Sequence, residues 1–201
     1  MSAIPLGSHN IVQSQEHEWH LPSRGKVAML SLIIGESAIF TIFVVAYIYY
    51  IGKSLSGPTP QILEVPVINS IALLSSSFTI WLAERAIARN RVKNFGLWWG
   101  LTILLGLFFL AGTAHEWYKL IHDDGLTIST NLFGTTFYSL VGLHATHVVV
   151  GLIMLLLVLV FTLMGKVSEH HFERIEIISL YWHFVDAIWV VVFTVVYILG
   201  R

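Results

Sequence analysis

Apolar residues in this chain form five long, nearly unbroken runs, at 27–51, 67–88, 95–118, 132–165 and 175–199. A hydrocarbon core of roughly 30 Å is crossed by about 20 predominantly apolar residues in helical form. Each run meets that length, so the pattern predicts an all-α membrane protein with five transmembrane helices. The run at 132–165 exceeds one span, which predicts tilt or an extension into the interface. The runs are continuous rather than alternating, so a transmembrane β-barrel does not fit. Residues 1–26 form a polar lead, read as an N-terminal arm ahead of the bundle at 27–201 and carrying His9, His17 and His20. The first run is too long for the core of a secretory signal and no small-residue cleavage pattern follows it. Gly57-Pro58-Thr59-Pro60 cannot be helical and marks a loop. Pro66 opens the second run, where a missing N–H is harmless, and Asp123-Asp124-Gly125 reads as a turn.

Composition sharpens the class. Apolar residues make up 56% of the 201 and charged residues 11%, against about 25% charged in a soluble domain. Too few polar side chains exist to cover a water-facing surface, which excludes a solvated globular domain and a disordered chain. The absence of cysteine excludes disulfides, zinc–thiolate sites, iron–sulfur clusters and covalently attached haem. A formal net charge of −1 leaves no nucleic-acid footprint. With the N-terminus inside, Arg24, Lys26, Arg85, Arg89, Arg91, Lys93, Lys166 and Arg174 lie inside and Lys53, Lys119 and Arg201 outside. That asymmetry predicts a cytoplasmic N-terminus and an outer C-terminus. Trp98, Trp99, Trp117 and Tyr118 stand near span ends, where amphipathic rings favour the interface.

The candidate chemistry lies in the few polar residues at membrane depth: Glu36, His144, His147, His183 and Asp186. Such groups are costly in lipid and belong in a bundle interior or against a partner. Glu84, His115 and Glu116 stand near span ends and can reach the headgroups. His144 and His147 are three residues apart on one helix face, as are His183 and Asp186, where the carboxylate could orient the imidazole. One reading makes these four a haem or metal centre, on the pattern of Glu-x-x-His pairs in four-helix di-iron bundles. The other makes them interhelical hydrogen bonds. Gly96-Leu97-Trp98-Trp99-Gly100 is a GxxxG and Ser75-Ser76-Ser77 a small polar patch; both point to close helix packing. The basic cluster Arg85, Arg89, Arg91 and Lys93 fits topology and anionic lipid. No phosphate loop and no nucleophile–base pair is present. The residues therefore favour a structural or regulatory subunit of a membrane complex, ahead of a free-standing transporter and a metal-binding membrane enzyme.

Several stretches resemble one family. Tyr181-Trp182-His183-Phe184-Val185-Asp186-Ala187-Ile188-Trp189 resembles the YWHFVDxxW signature of cytochrome c oxidase subunit III. Glu64-Val65-Pro66-Val67-Ile68-Asn69 resembles its EVPLLN segment. Phe137-Tyr138 through Gly142-Leu143-His144-Ala145-Thr146-His147-Val148 and Gly151 resembles its TFFxxTGFHGLHVxxG stretch. His170-His171-Phe172 resembles its NHHFGFE loop, and Gly35 to Phe40 its SExxFF segment, with Glu36 on the family's buried carboxylate. The likeness runs in order from about Arg24 to Gly200. It implies a non-catalytic subunit without metal or redox cofactor, the haems and copper lying in subunits I and II. It also implies packing on subunit I beside subunit II and a possible subunit IV, phospholipid binding, and support of proton uptake and enzyme lifetime. The complex would take electrons from cytochrome c to dioxygen and pump protons across the bacterial cytoplasmic membrane. The five spans match the short bacterial form rather than the seven-helix form. The family's five-helix quinol oxidase subunit III is the alternative, and a component beside a nitric oxide reductase is more distant.

Overall fold

The structure, a computed structural model, describes residues 23–54 and 56–200; His9, His17 and His20 lie outside them. Every regular element among the described residues is helical: α1 (Arg24–Tyr50), α2 (Val67–Ala88), α3 (Val92–His122), α4 (Leu132–Leu163) and α5 (Phe172–Phe193). α5 continues into a π-helical segment, Thr194–Leu199. Short 3₁₀ turns precede α2 and α5. All five helices are long and apolar enough to cross a membrane.

α1, α3 and α5 begin before their apolar runs, while α2 coincides with its run and α4 stops at Leu163. α1 starts at Arg24, inside the polar lead, because Ser23 caps it and accepts from the Lys26 N–H at 3.4 Å. α3 runs from Val92 to His122 rather than from 95 to 118. Nothing between Asn90 and Asp123 breaks a helix, so the backbone hydrogen bonds continue past the bilayer boundary. At about 1.5 Å per residue its 31 residues, and the 32 of α4, span roughly 46–48 Å, well beyond the hydrocarbon core.

α5 is the central element. It packs on α1, α2 and α4, while α3 lies against α2 and α4, and α1 against α4. α1 buries only Phe40 and Tyr47. α5 buries residues all round, including Trp182, Val185, Asp186, Trp189 and Val192. The π-helical segment turns three successive side chains inward, Val195, Val196 and Tyr197, as the enclosed α-helical part does with Phe184, Val185 and Asp186.

Glycine placement decides the closest approaches. The GxxxG of α3 is not a tight seam. A Cβ on Gly96 would meet Thr162 at an ordinary 3.6 Å, and one on Gly100 would meet nothing within 4 Å. The notches lie elsewhere. A Cβ on Gly106 would come within 2.8 Å of the Trp182 ring and 2.9 Å of Leu152, and one on Gly151 within 2.8 Å of Trp182. Gly112 of α3 likewise leaves the space filled by the Asn69 amide of α2.

One loop is tied down by the cap of α4. The Asn131 Oδ1 accepts from the Gly134 N–H at 2.8 Å, and its Nδ2 donates to the carbonyls of Ser56 and Pro58. Gly57, at φ +87°, takes the left-handed conformation this loop needs.

Replacing Gly106 by Ala should lower stability by about 1–3 kcal/mol, because the added methyl meets a fully buried indole. Gly100→Ala should hold stability or raise it by up to about 1 kcal/mol, through helix propensity alone. Thermal unfolding of the two variants in one detergent measures the contrast.

Candidate functional site

The polar residues of the bundle resolve into three groups that do not converge. The first surrounds Trp182. This side chain is fully buried, and its Nε1 donates to the Ser76 Oγ at 2.8 Å. The Ser76 Oγ in turn bonds the Leu73 carbonyl at 2.6 Å and approaches Asp186 Oδ2 at 3.4 Å. Ser77 donates to the same carboxylate oxygen and meets His183 Nδ1 at 3.1 Å. Asp186 therefore reaches His183 through the Ser77 hydroxyl, rather than directly across one helical turn. A carboxylate that is 3% exposed is held by the Ser77 hydroxyl, with the Ser76 oxygen close by but its O–H given to Leu73, and its second oxygen, Oδ1, has no partner among the described residues. Ser75, the third serine of the patch, faces outward and bonds its own backbone at Ile71.

The second group is His144 in an aromatic cage. Its ring stacks on Trp189 at 5.0 Å and meets Phe109 at 5.8 Å and Phe40 at 6.5 Å, both edge-on. It is fully buried, and neither ring nitrogen has a partner among the described residues. Trp189 is fixed in turn by its Nε1, which donates to Ser70 Oγ at 3.1 Å.

The third is Glu36 of α1 with His147 of α4, Oε2 to Nε2 at 3.1 Å, the two side chains 25% and 13% exposed. His147 Nδ1 lies 2.8 Å from the Leu143 carbonyl. A carbonyl only accepts, so Nδ1 carries a proton and a neutral imidazole presents a bare Nε2. Nε2 and a carboxylate oxygen meet at hydrogen-bond distance only with a proton between them. The pair therefore holds one proton, on either the carboxyl or the imidazole, and is neutral as far as the first or ionic as far as the second. It borders a groove of about 290 Å³, lined also by Met29, Thr146, Met154 and Tyr181. Although three apart in sequence and both against Phe40, His144 has only aromatic neighbours while His147 meets Glu36.

Among the described residues, no group of three or more His, Asp or Glu side chains is placed to hold a metal ion. His144, His147, His183 and Asp186 thus do not form the shared centre that their spacing allowed. The remaining motif residues serve the ends of the bundle. Glu64 pairs with Lys119 at 2.5 Å. That hydrogen bond, then the lysine's charge, holds the Glu64 carboxyl below its ordinary range. Pro66 stands at the N-cap of α2. His171 Nδ1 accepts from the Ser168 N–H at 3.3 Å in the turn before α5, where His170 is exposed.

Other interhelical bonds escaped the spacing arguments. Thr79 meets Thr102 at 2.7 Å, Trp99 Nε1 donates to the Leu155 carbonyl at 2.8 Å, and Tyr197 donates to Glu116 at 2.9 Å. Glu116 stands near a span end, yet it turns inward. The signal available for it was a tyrosine late in the last apolar run, and no rule pairs residues 81 apart.

Trp182→Phe should cost roughly 2–4 kcal/mol, through lost ring volume and a buried Ser76 deprived of its donor. Ser75→Ala should change stability by no more than about 0.5 kcal/mol. Paired thermal unfolding curves measure both.

The sequence comparisons agree with this architecture. Residues 15–201 match the family model described as Cytochrome c oxidase subunit III. The chain is 38% identical to Cytochrome c oxidase subunit 3 of Synechocystis sp. over 192 residues, covering 93% of this chain and 80% of that one. It is 35% identical to Cytochrome c oxidase subunit 3 of Alkalihalophilus pseudofirmus, covering 83% and 82%. It is 28% identical to Probable quinol oxidase subunit 3 of Staphylococcus saprophyticus, covering 95% of each. With a family match over nearly the whole length and five helices able to span a bilayer, the chain belongs to the cytochrome c oxidase subunit III family and is a multi-pass membrane protein.

Proposed function

We propose that this chain is the non-catalytic subunit III of a bacterial cytochrome c oxidase. In this reading it packs on the haem–copper subunit I, beside subunit II and with subunit IV as a possible further neighbour. It leaves haem and copper chemistry to subunits I and II, and it carries phospholipid on its membrane-facing grooves. It lies in the cytoplasmic membrane with its N-terminus inside. Higher identity to the two cytochrome c oxidase relatives than to the quinol oxidase one supports cytochrome c as the electron donor.

The single observation that carries a supporting role in proton uptake is the Glu36–His147 pair. It joins α1 to α4 and holds one proton at membrane depth beside a groove open to the side of the bundle. A group that passes a proton between carboxyl and imidazole can buffer proton supply to a neighbouring subunit without a redox centre of its own. The same groove, lined by methionine, leucine, valine and tyrosine, suits a lipid chain lying against the pair.

Two measurements test the reading. Gently solubilised protein should co-purify with a haem–copper subunit I and with a subunit II that carries copper ligands; a subunit II lacking them makes the complex a quinol oxidase. In the intact complex, Glu36→Gln should shorten the number of turnovers before inactivation severalfold. Unchanged lifetime and unchanged proton stoichiometry would remove Glu36 from proton handling.

A further inference from the structure

A second lateral opening lies where α1, α2 and α5 meet, at the end of the bundle that holds the α1 N-terminus. It encloses about 230 Å³ and is lined by Lys26 of α1, Glu84 of α2, and Glu176, Ile177, Leu180 and His183 of α5. Gly25 lets α1 close on α5 here, since a Cβ there would fall 2.7 Å from the Ile177 side chain. Beyond the pocket the same face of α5 stays open. Ala187, one turn past His183, is exposed, as are Val190 and Val191, although α5 is otherwise the most enclosed helix.

The lining has a definite polarity. Lys26 is committed to Glu176 at 2.8 Å. Glu84 is half-buried and has no cationic partner among the described residues, since neighbouring Arg85 lies over the Trp81 ring instead. The charges facing the pocket therefore sum to one uncompensated carboxylate. His183 points the same way. Ser77 spends its single O–H on Asp186, so its oxygen accepts from His183 Nδ1–H. The neutral imidazole then presents Nε2 as an acceptor, and this atom has no hydrogen-bond partner among the described residues. The Glu84 carboxylate, which has the Ser179 hydroxyl beside it but no cation among the described residues, and the His183 Nε2, which has no donor among them, thus share one opening near the end of the span. Lipid chains supply neither a cation nor a donor, and leaving a charge without its counter-charge there is costly.

We propose that the α1/α2/α5 face is the docking surface for a transmembrane helix of the haem–copper partner subunit, and that this helix carries a lysine or arginine placed between Glu84 and His183. The proposal rests on the subunit III reading above and adds which face meets the partner and through which chemistry. Exposed Ala187 gives the partner helix a small residue to close on. The charge pairing sets its register near the end of the span, where a basic side chain can reach from either helix.

The cysteine-free chain permits a direct test in the assembled complex. Single cysteines replace Ala187 on this face and, separately, Leu104 on the exposed side of α3, which is 63% exposed. Each carries a benzophenone maleimide, and the membranes are irradiated. The expected result is a protein adduct with the haem–copper subunit from position 187 and none from 104. In parallel, Glu84→Gln should weaken retention of that subunit in detergent by roughly tenfold or more, as loss of one partner from a desolvated charge pair does. Its helical content and unfolding temperature as an isolated chain should stay unchanged. A protein adduct from 104 but not 187 overturns the proposal. So does a lipid adduct alone at 187, which would assign the pocket to an aminophospholipid headgroup. If the complex co-purifies but neither position forms a protein adduct, the face is wrong while the subunit reading stands. If no haem–copper subunit co-purifies with the unmodified chain, both fall.

Discussion

The bundle depends on where one indole fits. Trp182 projects from α5 into the notches left by Gly106 on α3 and Gly151 on α4, while its N–H is taken by Ser76 on α2. A single side chain therefore links four of the five helices. In a bilayer the hydrophobic effect gives helices little reason to leave lipid for each other, so close packing and interhelical hydrogen bonds must hold them. A large flat ring set in two glycine notches supplies the first, and its nitrogen supplies the second. The arrangement also sets the register of α2, because Ser76 and Ser77 must reach Asp186 at the same height.

The rest of the polar inventory follows this economy. Thr79 with Thr102 ties α2 to α3, Trp99 with the Leu155 carbonyl ties α3 to α4, Trp189 with Ser70 ties α5 to α2, and Tyr197 with Glu116 ties the π-helical end of α5 to α3. Each of these four joins different helices, so each fixes the position of an element as well as satisfying a polar atom. α1 is the exception in burial. It contributes Phe40 and Tyr47 to the core and is joined by Glu36 to His147 and by Lys26 to Glu176. Those two links border two lateral openings, one on each flank of α1.

The two openings differ in what they can accept. Beside Glu36 the carboxylate already has its imidazole, and the remaining lining is mostly apolar, with the Thr146 and Tyr181 hydroxyls bonded to backbone carbonyls, which matches a lipid chain. Beside His183 a carboxylate without a cation and a ring nitrogen without a donor remain among the described residues, which matches a basic side chain from a partner. In both cases an ionisable residue is kept at the bundle flank rather than in its centre. Such placement suits a subunit that acts on a neighbour through a surface.

Much of the fold was legible along the chain. Five apolar runs became five helices because a backbone in lipid must satisfy its own N–H and C=O groups, and a run of about 20 apolar residues has only the helix in which to do so. Helix ends were less legible: Arg24, Lys119 and His122 are helical although charged or polar, since hydrogen bonding continues into the interface until an Asp-Asp-Gly turn stops it. The polar residues at depth could be named from sequence, and so could the family likeness. What each one touches could not, because spacing of three or four residues speaks only for one helix. His144 meets the Trp189 ring while His147 meets Glu36, and His183 meets Asp186 through Ser77, which lies 109 residues before that carboxylate. Composition and hydropathy thus determined that this chain lives in a bilayer as five helices with few buried charges. The tertiary structure alone decided which glycines become notches, which serines meet which carboxylate, and which flanks carry polar openings, because those depend on rotation and height of one helix against another and leave no period in the sequence.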